Sequence, residues 1–237
     1  MSSLLIKNIG SLQTPTGSES HAGLKQGEIL KLNNATILIR DGVIAEITDD
    51  GILPKGSEKA DFEIDAEGKL VTPGLVDGHT HLVFGGYRQN EISKKLEGMA
   101  YLDILGAGGG ILDTVRMTRA TSFEDLYDKT SGFLDEMLSL GVTTCEAKSG
   151  YGLDVENETK QLKVVKRLSE AHRVELVSTF MGAHAVPDEY KGRRDEFVDF
   201  LCDELLPYVA ENKLAAYCDI FCEEAVFNVE QSRKYLS

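Results

Sequence analysis

Lys69-Leu-Val-Thr-Pro-Gly-Leu-Val-Asp-Gly-His-Thr-His-Leu-Val-Phe84 decides the fold. Its apolar residues build a buried strand that runs into polar residues and two histidines, and from here onward strands alternate with helices. Thr121, with Glu124 three positions on, is the expected cap of the next helix; Leu126, Phe133, Leu134, Met137 and Leu138 share one face, and Gly141 closes it. Val142 to Ala147 reads as a second strand, Val155 to His172 as a helix, and Val174 to Phe180 as a third strand. A helix from Arg193 to Glu211 and a strand from Leu214 to Phe221 complete the pattern. Strands joined by helical crossovers form a parallel sheet, and right-handed crossovers leave a doubly wound sheet or part of a β/α barrel.

Working back toward the N-terminus, residues 1–69 are β-rich. Ala35 to Ile39 and Val43 to Ile47 flank Asp41-Gly42, a strong hairpin signal, and Asp50-Gly51 marks another turn. Gly10 to Gly27, poor in apolar residues, reads as a loop between short strands. A closed barrel needs about eight strands and ~250 residues, more than residues 70–237 supply. The expectation is therefore an α/β chain with two parts: the N-terminal part of a small β-rich domain over 1–69, then the first half of a TIM-like barrel, about four strands, over 70–237. Glu230 to Ser237 carries no helix stop, as in a fragment that ends within a helix.

Composition narrows the function. The 237 residues are 42% hydrophobic and 27% charged, with 39 acidic against 25 basic side chains. That net charge of −14 argues against nucleic acid or anionic lipid as partners. No apolar run approaches the roughly 20 residues of a membrane span and no signal-peptide core is present, so the expected location is the cytoplasm. Four scattered cysteines, Cys145, Cys202, Cys218 and Cys222, make no disulfide framework and read as reduced, mostly buried thiols.

Polar residues follow each strand of the alternating region: His79 and His81, Lys148-Ser-Gly-Tyr151, Gly182-Ala-His184 and Glu223-Glu224. Both parallel architectures place their sites at strand C-termini. On a strand, His79 and His81 point to one side and can share an ion, although three or four ligands are the rule. Arg88, just past the histidine strand, reads on its own as a solvated surface charge. Tyr151 sits between glycines in a turn where backbone can approach a ligand, and His184 can hydrogen-bond one. Gly106-Ala-Gly-Gly-Gly110 lacks the Gly-Lys-Ser/Thr ending of a phosphate loop and reads as a mobile loop over the site.

Val71 to His81 resembles the first barrel strand of the amidohydrolase superfamily, preceded by its small β-rich segment. The closer resemblance is to the imidazolonepropionase family. It is carried by Gly108-Gly-Gly-Ile111 with Thr114-Val and Thr118-Arg119, Glu146 to Gly152, Thr179 to Pro187, and Asp219 to Phe227. The family opens the ring of 4-imidazolone-5-propanoate with water to give N-formimino-L-glutamate in histidine degradation, using one zinc or iron ion. The resemblance implies His79 and His81 as metal ligands, and Arg88, Tyr151 and His184 as substrate contacts. It places the remaining ligands and the proton-transfer groups after Ser237, leaves the catalytic residues of this chain unknown, and does not make Lys148 a ligand. An isolated chain of this kind is expected to be inactive. Two other readings stay open: another amidohydrolase such as a heterocyclic-base deaminase, which has no substrate carboxylate for Arg88 to pair, or a non-catalytic domain that self-associates through unpaired strand edges into a homo-oligomer.

Overall fold

The Asp41-Gly42 turn joins β2 (Ile29–Arg40) and β3 (Val43–Thr48) as an antiparallel hairpin. Both turn residues have positive φ, 52° and 80°, the backbone that matches the twist of paired strands. Asp50 and Gly51 turn the same way. The structure, a computed structural model, describes every residue except 1, 18, 101, 102, 104–108 and 224. The glycine-rich stretch at 106–108 and Glu224 therefore lie outside the described residues.

The chain divides into two units, Met1–Pro73 and Gly74–Ser237. In the first, β1 (Ser3–Pro15) pairs antiparallel with β2 and parallel with β4 (Phe62–Asp65) and β5 (Leu70–Val71). The expected loop from Gly10 is a strand as far as Pro15, because Ser11 to Pro15 pair with Ile29 to Asn33 across a long-range ladder that local composition does not reveal. Ile9, Leu12, Ala35, Ile37 and Ala66 form its core.

The second unit is a four-stranded parallel sheet in the order β6 (Leu75–Thr80), β7 (Val142–Lys148), β8 (Glu175–Ala183), β9 (Tyr217–Ile220). This sequential order with helical crossovers is a half-barrel. After β6 come α1 (Ile92–Leu96), α2 (Ile111–Ala120) and α3 (Phe123–Ser139); α4 (Val155–Ala171) links β7 to β8. Helix α2 was not expected from the sequence, since its inward face mixes Thr114 and Thr118 with Ile111 and Val115. Thr121 does not cap α3. Its hydroxyl donates back to the Met117 carbonyl, and Ser122 caps instead, accepting the Asp125 N–H at 3.1 Å. The predicted helix after Arg193 is α5 (Arg194–Phe200) and α6 (Leu206–Glu211), joined through a π-helical turn over Leu201–Leu205 just before Pro207, whose ring cannot continue a regular ladder. Helix α7 (Val229–Leu236) starts with a capping box from Asn228 and Gln231.

Alternation along the strands separates two chemistries. On β7, Cys145 and Ala147 are fully buried with Leu126 and Leu134 of α3 and Val164, Val165 and Leu168 of α4. Phe180 of β8 joins Leu162 of α4, Phe197 and Leu201 in the neighbouring cluster. Glu146 and Lys148, one residue out of phase, turn to the opposite face of the sheet. Leu75 and Val76 on one outer strand are 55% and 70% exposed, and Tyr217 on the other is 66% exposed. All four cysteines are free thiols, but only Cys145 is buried; Cys218 and Cys222 are exposed, correcting the expectation of mostly buried thiols, because Cys218 stands on outer strand β9 and Cys222 just beyond it. No helix among the described residues is long and apolar enough to cross a membrane.

Leu162 is fully buried where α4 meets β8. Leu162→Ala is expected to lower the unfolding free energy by about 2–5 kcal/mol, measured by urea titration. A change below about 1 kcal/mol contradicts this packing.

Candidate active site

The C-terminal ends of β6, β7 and β8 bring three rings of the sequence prediction together. The His81 and His184 imidazoles stack with centroids 4.4 Å apart, and the Tyr151 ring lies 5.1 Å from His81 and 5.4 Å from His184. His79, on the exposed side, has its ring 5.8 Å from that of His81. The two rings meet edge to face at the exit of β6.

Backbone carbonyls of the turn after β7 orient the two stacked rings. His81 Nδ1 lies 2.9 Å from the Ser149 carbonyl and His184 Nδ1 lies 3.1 Å from that of Gly150. An N–H at Nδ1 donating to a carbonyl leaves Nε2 as the lone-pair nitrogen, the arrangement that metal-binding histidines use. Burial holds both imidazoles neutral: it lowers the His81 pKa from 6.5 to about 4, and burial together with the neighbouring His81 charge lowers that of His184 to about 3.

The turn itself is held from several sides. Ser149 donates its N–H to the Thr179 carbonyl and accepts the Met181 N–H on its hydroxyl. Tyr151 N–H donates to Gln161 Oε1, the N–H groups of Gly152 and Leu153 donate to Glu158 Oε2, and Arg119 Nε donates to the Gly152 carbonyl at 2.8 Å. Gly150 has φ +111°, and a Cβ there would lie 2.7 Å from His184 Nδ1. At Gly152 a Cβ would meet the Glu158 backbone nitrogen at 2.1 Å. Both positions demand glycine.

A cleft of about 430 Å³ opens beside the rings, lined by His81, Phe84, Arg88, Gln89, Thr114 and Tyr151 among others. Among the described residues, Arg88 Nη1 is buried with no hydrogen-bond partner, and it forms an ion pair with Glu91 Oε2 at 3.7 Å. His184 contacts the ring cluster but does not line this cleft.

On the polar face of the sheet, Lys148 is a clamped cation rather than a free amine. Its Nζ donates to Glu146 Oε1 at 3.0 Å and Asp219 Oδ2 at 2.9 Å, while Thr179 donates to Glu146 at 2.6 Å. Although burial opposes it, the hydrogen bonds to Asp219 and Glu146 raise the Lys148 pKa above its ordinary value. Burial likewise opposes ionisation of Glu146 and Asp219, but hydrogen bonds hold both below the usual range. Sequence reasoning did not find Asp219, Glu158 or Gln161. The usable signal was Glu158 and Gln161 lying four positions before Leu162 and Val165, on the inward face of α4. No group of three or more His, Cys, Asp or Glu among the described residues could hold a metal ion, so His79 and His81 supply at most part of a coordination shell.

Comparison with known proteins follows this geometry. Residues 63–99 match the amidohydrolase family model. The chain is 48% identical to imidazolonepropionase of Clostridium tetani over 98% of its own length and 56% of that relative. It is 54% identical to imidazolonepropionase of Streptococcus gordonii over 84% of its length and 49% of the relative. The chain thus spans about half the length of the curated relatives it matches. Among solved structures, E. coli guanine deaminase superposes with a TM-score of 0.56 at 12% identity, covering 92% of this chain and 45% of that one. A triazine hydrolase variant gives 0.55 at 16% identity, covering 99% and 50%. These two likenesses establish the fold.

The neutral rings give a pH signature. Unfolded histidines take up protons near pH 6.5 while the folded ones resist until about pH 4 and 3. Stability of the metal-free chain is therefore expected to be full above pH 6.5 and to fall as the pH drops toward 4, with a shallower fall in His184→Asn; identical slopes in urea midpoint against pH would contradict it.

Proposed function

We propose, from the similarity of this chain to curated imidazolonepropionases, that it is the N-terminal portion of an enzyme hydrolysing the cyclic amide 4-imidazolone-5-propanoate to N-formimino-L-glutamate in histidine degradation. The observation that carries the reading is the cleft shared by His81, Arg88 and Tyr151, with a buried guanidinium nitrogen that has no hydrogen-bond partner among the described residues. A propanoate carboxylate supplies what that nitrogen lacks, in the fork geometry Arg presents to carboxylates.

His79 and His81 are the residues of this chain that would hold one zinc or iron ion, with the rest of the shell from the part of the protein beyond these residues. When bound, the ion supplies Lewis acidity that polarises the ring carbonyl and acidifies water. The protein groups do the positioning. Arg88 would fix the carboxylate and Tyr151, which lines the same cleft, would hydrogen-bond the imidazolone ring; His184, outside that cleft, would act from its place stacked on His81. Water adds to the carbonyl carbon, the ring C–N bond breaks, and the departing nitrogen takes a proton. Lys148, paired with two carboxylates, would serve as a fixed charge and not as a bridging ligand. The four free thiols agree with a reducing, cytoplasmic setting. The exposed apolar residues of β6 and β9 are covered in the working protein by the rest of the barrel or by self-association.

In the full-length protein Arg88→Ala is expected to raise KM for imidazolonepropanoate about 10- to 100-fold, the worth of a charge-assisted pair. An unchanged KM favours the deaminase reading, whose substrate bears no carboxylate. Purified residues 1 to 237 alone are expected to show no measurable ring opening and only weak zinc binding; robust turnover by them would overturn the assignment of a partial metal shell.

A further inference from the structure

Two polar side chains occupy the inward face of α4 where apolar packing would serve stability better. Gln161 is fully buried, as is Glu158. Burying an amide and a carboxylate carries a desolvation cost that hydrogen bonds only offset. Both accept hydrogen bonds from the backbone of the turn over residues 151–153. Gln161 Oε1 accepts the Tyr151 N–H at 3.0 Å, and its Nε2 donates to the Val83 carbonyl at 2.6 Å. Glu158 Oε2 accepts the next two N–H groups along the turn, each at 2.8 Å.

We propose that Gln161 is a positioning residue, a buried cross-link that sets the Tyr151 turn against the exit of the histidine strand. One side chain bonds the residue two past His81 and the residue that carries the substrate-facing phenol. The amide is the side chain that does this, because one bond needs an acceptor and the other a donor. The effect extends past Tyr151. The Ser149 and Gly150 carbonyls that orient His81 and His184 immediately precede the Tyr151 N–H, so turn and rings move together. Glu158 fixes the other end of the turn. Loss of Gln161 therefore leaves a folded protein whose site is loosened by an ångström or so, which substrate positioning does not tolerate.

The inference rests on the proposed function only in its kinetic half. In the 237-residue chain, Gln161→Met is expected to speed hydrogen exchange of the Tyr151 and Gly152 amides about tenfold or more while leaving the Leu168 amide, later in α4, as protected as before. Unchanged exchange at Tyr151 overturns the proposal whatever the enzyme does. Should Gln161→Met fail to fold, Gln161→Glu, which keeps the acceptor for Tyr151 N–H but loses the ordinary donor to Val83, is read instead; it is expected to speed exchange at Tyr151 by less, and no change overturns the proposal. In the full-length enzyme Gln161→Met is expected to raise KM about tenfold with a smaller fall in kcat, and to have little further effect when Tyr151 is already Phe. Additive losses in that double variant would overturn a role acting through Tyr151. A full-length protein that is itself inactive on imidazolonepropanoate refutes the proposed function and leaves the exchange result standing as the test of the cross-link.

Discussion

Two backbone carbonyls, of Ser149 and Gly150, decide what the site can be. Each accepts from an imidazole Nδ1, and in doing so fixes the tautomer and direction of a ring that burial has already made neutral. Without that constraint the stacked pair would be two soft torsions at a strand end. With it, each ring keeps Nε2 as its lone-pair nitrogen, which under the proposed function would serve an ion at His81 and a ligand at His184. The parallel sheet exists, in functional terms, to bring that turn beside the exits of β6 and β8.

The division of labour along β7 shows how a short segment serves both stability and chemistry. Cys145 and Ala147 belong to the helix-covered core, whereas Glu146 and Lys148 belong to a polar face completed by Thr179 of β8 and Asp219 of β9. The strand's period of two makes both possible in one stretch. The two carboxylates favour the charged form of Lys148, and an ammonium has no lone pair to offer as nucleophile or ligand.

Much of this was legible in the sequence where the signal was local. The Asp41-Gly42 hairpin, the alternation after Leu70 and the cluster of polar residues behind each strand follow from turn chemistry and periodicity. What local signals missed had long-range causes. Ser11 to Pro15 are strand because of partners around residue 30, and α2 hides its apolar stripe behind Thr114 and Thr118. Within the proposed site, His79 and His81 stand out by their spacing, and Arg88, Tyr151 and His184 through the resemblance. Gln161 and Glu158 do not, because a polar residue on a helix reads as solvated until its face is known to be inward. Asp219 becomes meaningful only once β9 is laid beside β8 and Lys148 is seen to reach it.

The account depends on His79 and His81 gripping one cation. Diffraction from crystals of the full-length protein, collected across the zinc and iron absorption edges, tests this most directly. An anomalous peak within bonding distance of both imidazoles, with Arg88 and Tyr151 facing the same cleft, is the result expected. A peak bound elsewhere, or a His79 ring turned out to solvent with no metal beside His81, would contradict it.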